Sequence, residues 1–227
     1  VEHSLAISNY LYSTSRKLHE QKNNSYSILI FEMILKIWEH TKKTKPVLEE
    51  DLPSSAMNSS PGLLALSTMN LVYLHNKDLD ASNYRLPDNY KMFFTGMLLD
   101  TQIIDAHSVV IGHFYQLFAF DPEWAESNLL KYFDSAAEED FRKSWQGYMA
   151  FSQRLNPEIS DLLEPCFLKA IDRIEELKSY KERFMGFVMS LIIYHIDDPV
   201  KLFIPAIFHC HDNECIRYFY QLLDNYL

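Results

Sequence analysis

The sequence predicts an all-α protein, and three observations carry that prediction. Only five glycines occur in 227 residues, so β-hairpin turns, glycine-rich phosphate loops and dinucleotide-binding turns have almost no material to be built from. A small polar residue followed by proline recurs at Ser60–Pro61, Asp121–Pro122, Asn156–Pro157 and Asp198–Pro199. The polar side chain accepts orphan amides at a helix start, and proline loses nothing at a first-turn position whose N–H has no helical partner. Between these starts apolar residues return at three- and four-residue intervals, the period of a helix that buries one face.

In order along the chain, Leu5, Leu11, Tyr12 and Leu18 mark a first helix over about residues 2–20. Ile28, Ile30, Phe31, Ile34, Leu35 and Trp38 mark a second over about 25–43, and the two read as an antiparallel pair. Residues 44–60 hold Pro46, Pro53 and a polar run of Ser54, Ser55, Asn58, Ser59 and Ser60, which reads as a flexible loop, a solvated insertion. Ser60 then opens a helix whose Leu63, Leu64, Leu66, Met69, Leu71, Val72 and Leu74 cover most of its circumference, so it belongs at the centre. A turn over 78–87 leads to a helix over 90–100 and a densely apolar one over 103–120. Asp121 caps the next. Ser135 with Glu138 forms a capping-box pattern, and Glu138, Glu139 and Asp140 suit the positive end of a helix that Arg142 and Lys143 continue. Asn156 caps a helix that Pro165 should kink or restart. A strongly apolar helix over 179–195, a restart at Asp198 and a last helix capped by Asp212 complete the chain.

The starts lie 61, 35 and 42 residues apart. The last two distances fit a helix-pair repeat of about 40 residues in which each unit buries its apolar face on its neighbours. The expected architecture is therefore a HEAT-like array of antiparallel helix pairs, with an irregular α-bundle as the alternative. The domain reading is an N-terminal pair over 1–43, the loop over 44–60, and an array over 61–227 continuous with the pair.

Charge and chemistry narrow the function. A formal net charge of −10 opposes a phosphate-tracking surface, since nucleic-acid affinity draws on Lys and Arg. Cys166, Cys210 and Cys215 are too few and too irregular for a disulfide framework, which suits a reducing cytoplasm. The opening residues lack the basic-then-apolar layout of a secretion signal, and the start at Val1 suits a fragment of something larger. The greasiest run, around 184–196, stops short of a bilayer span and carries His195. His209, Cys210, His211 and Cys215 are ligand types zinc accepts, but adjacent residues diverge and the spacing fits no standard structural site, so they read as buried thiols with partly wet histidines at a helix junction. The pair His211–Asp212 also occurs in helical metallohydrolases, which would have to recruit His107, His113, His195 or Asp105 from other helices. Trp124, Trp145 and Tyr148 stand near helix starts as anchors, either between repeats or for a partner. Gly147 inside a helix costs about 1 kcal/mol against alanine, a cost offset where a neighbouring helix must approach closely.

Three segments read together add a resemblance: residues 108–134, 144–171 and 183–199. Their ordered pattern is Asp-Pro-x-Trp at 121–124, Trp-x-Gly-Tyr at 145–148, Arg-Leu-Asn-Pro at 154–157 and Leu-x-Pro-x-Phe-Leu at 163–168. It resembles the helical C-terminal region of large bacterial anti-phage proteins that carry a sirtuin-like NAD-cleaving domain at the other end. The resemblance implies a non-catalytic helical interaction region with no cofactor and no active site of its own. Its implied partners are proteins: the upstream domain, a phage protein or a second copy. Nucleic acid and membrane are not expected partners. The alternatives are a small helical metal-dependent hydrolase and a stand-alone adaptor.

Overall fold

A computed structural model describes residues 2–41, 51–152 and 155–226, and every regular element in them is helical. The protein is all-α, as the scarcity of glycine and the helical periodicity predict. The N-terminal pair is α1 (Glu2–Glu20) and α2 (Ser27–His40), followed by α3 (Leu52–Met57), α4 (Ser60–Asn76) and α5 (Asp88–Leu99). The dense stretch after it is two helices, α6 (Ile104–Gly112) and α7 (Phe114–Phe120), broken at His113. Helix α8 (Pro122–Ala125) passes through a π-helical turn (Glu126–Leu130) into α9 (Lys131–Phe133). Then come α10 (Glu138–Phe151), α11 (Pro157–Ile171), α12 (Lys181–Tyr194), α13 (Phe203–His209) and α14 (Asn213–Tyr226). Among the described residues no helix is long and apolar enough to cross a membrane.

Two of the four polar-proline starts are caps where expected. Asp121 Oδ1 accepts from the Trp124 amide at 3.0 Å and Asn156 Oδ1 from the Ile159 amide at 2.8 Å. At α4 the cap is one residue earlier, Ser59, whose hydroxyl accepts from the Gly62 amide at 3.1 Å. Asp198–Pro199 opens no helix; the chain turns there and α13 begins at Phe203, so the spacing that suggested a repeat does not run to the end of the chain. The Ser135–Glu138 capping box is not formed either. Ser135 instead donates to the Asp140 carboxylate at 2.9 Å, and Ala137 occupies the cap. Helix α11 runs on through Pro165 rather than restarting. Asp212 does precede the last helix, with its carboxylate on the Glu214 amide at 2.8 Å.

The reading of 44–60 as a flexible loop is corrected over its second half. Residues 44–50 lie outside the described ones, but Asp51 accepts from the Ser54 amide at 2.9 Å and starts α3, with Pro53 in its first turn. Leu52, Pro53 and Ala56 are buried. Of the polar run that suggested a loop, Ser54 and Ser55 lie on the outer side of this short helix, Ser59 caps α4 and Ser60 is buried in its first turn, while the inner face of α3 packs on α6 and α10.

Packing runs from α1 and α2 onto α4, from α4 and α3 onto α6, from α6 onto α10, and from α10 through a 3-10 segment (Ile174–Tyr180) onto α12 and then α14. The centre is α6 and α10. Every residue of α6 is buried, and so is every residue of α10 from Phe141 to Met149. Two glycines permit this. A Cβ on Gly112 would lie 2.4 Å from the Gly147 carbonyl oxygen, and one on Gly147 would lie 2.1 Å from the Ser108 carbonyl oxygen. The two backbones therefore touch, which is the close approach that Gly147 predicts. Trp145 and Tyr148 are fully buried on the other side of α10, where Phe133, Phe167 and Phe184 meet the indole edge-on at 5.2, 4.6 and 5.3 Å.

Candidate functional site

The exposed large apolar side chains fall in two stretches of the sequence, with Met57 on α3 standing apart from the rest of the first. Among the described residues none is exposed between 100 and 192; all lie in residues 1–99 or 193–226. The first group centres on a groove between α2 and α5. On α2, Ile28, Phe31, Leu35 and Trp38 fall at helical spacing, and on α5 so do Met92, Gly96 and Leu99. Ile28, Met92 and Leu99 are 77%, 76% and 78% exposed. The floor is rigid: Phe31 meets Tyr90 and Phe93 edge-on at 4.6 and 5.8 Å, and Trp38 meets Phe93 at 5.4 Å. A Cβ on Gly96 would touch nothing within 4 Å, so this glycine leaves a gap in the wall of a cleft of about 350 Å³ lined by Phe31, Leu35, Trp38, Asn89, Met92 and Phe93. Its size is at the low end of the ~300–1,000 Å³ typical of ligand sites and its lining is almost wholly apolar. It suits the side chains of another helix.

The second group is aromatic. Phe208 of α13 and Tyr220 of α14 stand 6.2 Å apart at 73°, both about half exposed, with Phe219 beneath them at 6.0 Å from Phe208. Tyr194, Val200 and Leu202 are exposed along the connection from α12 to α13. Beside it, α12 and α14 frame a second cleft of about 530 Å³, with Arg183, Glu182, Ser179 and Ser190 mixed among Leu155, Phe187 and Leu222.

The charged chemistry lies inside the fold. Lys143 on α10 is buried and donates to the Asp140 carboxylate at 2.7 Å and to His107 Nδ1 at 3.3 Å. An ammonium can only donate, so Nδ1 accepts, and Nε2–H donates to the Met97 carbonyl at 2.8 Å. Burial first, then the Lys143 charge, drives the His107 pKa down to about 4. Burial raises the Asp140 carboxyl, and the hydrogen bonds from Lys143 and Ser135 overcome it, holding the acid below its ordinary value. His113 donates from Nδ1 to the Val109 carbonyl at 2.7 Å and stacks on Phe151 at 4.7 Å; burial lowers its pKa to about 4. These groups tie α5, α6 and α10 together; His107, His113 and Lys143 are buried, while the Asp140 side chain stays 31% exposed.

Of the sequence-predicted ligand residues, the two thiols Cys210 and Cys215 adjoin each other, but His209 and His211 stand exposed and do not join them. Cys210 Sγ donates to the Ile171 carbonyl at 3.3 Å, Cys215 Sγ lies 3.6 Å from Met185 Sδ, and His209 turns its Nδ1 to the Pro205 carbonyl at 2.7 Å. Burial pushes the Cys215 thiol far up and the Cys166 thiol to about 11, so both stay protonated. Asp212 binds Lys181 at 2.5 Å. Among the described residues no three His, Cys, Asp or Glu side chains converge as a metal site would require. Of the three anchors, Trp145 and Tyr148 belong to the core, while Trp124 is half-buried against Phe94 and donates from its indole to Thr95 Oγ1 at 3.2 Å.

Sequence reasoning missed the groove and the buried lysine. The groove left one trace: Ile28, Leu29, Phe31, Ile34, Leu35 and Trp38 wrap more of α2 than a single neighbour can cover. Lys143 left none, because its partner His107 is 36 residues away in sequence. Comparison with protein-family models, curated proteins and solved structures gives no match for this chain.

Proposed function

We propose that the chain is a non-catalytic protein-interaction unit, serving in the cytoplasm as the sensing or assembly part of a bacterial anti-phage NADase. The observation that carries the interaction reading is the apolar groove between α2 and α5, with Met92 about three-quarters exposed beside the packed rings of Phe31, Trp38 and Phe93, and Leu99 equally exposed further along α5. Exposed apolar patches rimmed by polar residues mark sites where another protein docks, and a groove between two helices suits an amphipathic helix. The inward-facing histidines support the same reading, because His107 and His113 spend their ring nitrogens on backbone carbonyls and Lys143. A net charge of −10 favours protein over nucleic-acid partners. The NADase context rests on the resemblance of residues 108–199 alone.

The test is native mass spectrometry of the chain isolated from bacteria, beside a double variant, Met92→Glu with Leu99→Glu, whose circular dichroism matches the wild type. The wild type should carry a protein species that the variant has lost. If both carry the same species, or neither carries any, the groove is not the working surface. The NADase context is tested separately by sequencing upstream of Val1, where a sirtuin-like domain is expected.

A further inference from the structure

At the corner between α13 and α14 three sulfur atoms come together. Cys210 closes α13, Cys215 lies in the first turn of α14, and Met185 stands on α12. The two thiols adjoin each other, and Cys215 Sγ lies 3.6 Å from Met185 Sδ. All three side chains are buried. We propose that they form a site for one soft monovalent metal ion, Cu(I), held by two thiolates and a thioether. Two sulfurs bound to one ion at about 2.3 Å each, at a tetrahedral or trigonal angle, lie about 3.8–4.0 Å apart. The Cys215–Met185 pair has only to open slightly. The backbone already holds the corner in place. The Asp212 carbonyl accepts from the Cys215 amide at 3.0 Å, its carboxylate accepts from the Glu214 amide at 2.8 Å, and Lys181 grips that carboxylate at 2.5 Å. Lys181 comes one helical turn before Met185, so one face of α12 both anchors the corner and supplies the thioether.

The donor set selects the ion. Thiolate and thioether together suit Cu(I), whereas zinc completes a two-thiolate site with histidine or carboxylate. Neither is offered here. Among the described residues no third His, Cys, Asp or Glu joins the pair; His209 turns its Nδ1 to the Pro205 carbonyl at 2.7 Å, and Asp212 is held by Lys181. Binding is a proton exchange with no change of oxidation state: Cu(I) replaces one proton on each thiol, and both protons leave to water. One of them now rests on the Ile171 carbonyl, 3.3 Å from Cys210 Sγ. Burial first, and then the neighbouring Cys210, keeps the Cys215 thiol protonated until the ion arrives. Oxidation and disulfide exchange proceed through thiolate, which such a buried pair lacks, but a metal ion deprotonates the thiol that coordinates it.

The experiment titrates the purified full chain, reduced and kept free of oxygen, with Cu(I) in competition with a coloured chelator, and repeats the titration with Zn(II). The wild type should hold one Cu(I) per chain, and X-ray absorption should show sulfur neighbours alone at about 2.3 Å. Met185→Leu keeps the volume of the side chain and removes only the thioether. It should bind Cu(I) at least about tenfold more weakly, since even outer-shell changes at metal sites cost about 10–100-fold. Cys210→Ser with Cys215→Ser should hold no Cu(I), and Cys166→Ser should bind as the wild type does. Met185→Leu decides alone if the double serine variant loses helicity. A wild type that gives up all its Cu(I) to the chelator overturns the proposal. So does Cu(I) retained by the double serine variant, an affinity unchanged in Met185→Leu, or tighter binding of Zn(II) with nitrogen among its neighbours.

Discussion

Gly147 and Gly96 are both helical glycines, and the chain uses them for opposite ends. At Gly147 the missing side chain lets α10 lie directly on α6; at Gly96 it leaves a gap facing solvent. The centre of the molecule is closed by contact between backbones, and its N-terminal end is held open. The sharpest way to break this comparison is one substitution made twice. Gly147→Ala puts a methyl 2.1 Å from the Ser108 carbonyl oxygen, a backbone atom that cannot swing aside. It should cost about 3 kcal/mol or more in denaturant unfolding, at the upper end of overpacking. Gly96→Ala meets nothing within 4 Å and should stabilise by up to about 1 kcal/mol through helix propensity alone. Equal effects of one sign would mean that the two glycines do not differ as described.

Next in size is the contrast between aromatic side chains at the centre and apolar ones at the end. Trp145→Ala removes a fully buried indole ringed by Phe133, Phe167 and Phe184, and should cost about 3–5 kcal/mol by chemical denaturation. Met92→Ala, at a side chain 76% exposed, should stay within about 0.5 kcal/mol of the wild type. That pair separates residues that make the fold from residues free to make an interface.

Acid should attack the centre before it attacks the ends. His107 and His113 have folded pKa values near 4, below the ordinary 6.5. Between those values the unfolded chain binds protons at these rings and the folded chain does not. Unfolding therefore becomes easier as pH falls from about 6.5 toward 4, and stability is regained as pH rises. His113→Phe, which keeps the stack on Phe151 and titrates nothing, should flatten part of that slope. An unchanged slope in the variant would place the acid sensitivity elsewhere.

How much of this was legible beforehand follows from how local each signal is. Caps at Asp121 and Asn156 are contained in four residues, so they could be read directly, and Gly147 inside an apolar helix announces a close neighbour. The same local reading failed at α3. Five polar residues in eight suggest a loop until Gln146, 94 residues away, is known to accept from the Leu52 amide at 3.2 Å and so hold the helix against α10. Trp124 and Trp145 read alike in sequence as anchors near helix starts, yet Trp124 is the third residue of α8 and half-buried, whereas Trp145 lies midway along α10 and is sealed. What distinguishes them is the set of helices that fold over α10, and no spacing within either segment encodes that. The groove was invisible for a related reason: exposure is decided by what fails to cover a face, which a helical period cannot report.

The smallest effect bears on whether a polar residue before proline marks a helix start or only a turn. Asn156 has one role, accepting from the Ile159 amide at the start of α11, so Asn156→Ala should cost about 1 kcal/mol. Asp198 has the same sequence context, but it stands in a turn and its carboxylate pairs with Lys201 at 2.8 Å in an exposed ion pair. Asp198→Ala should therefore change stability by no more than about 0.5 kcal/mol, and raised salt should erase what difference there is while leaving the Asn156 loss intact. A loss at Asp198 as large as at Asn156 would show that the proline motif acts as a helix start at both places, and would restore the repeat spacing that the turn at 198–202 interrupts.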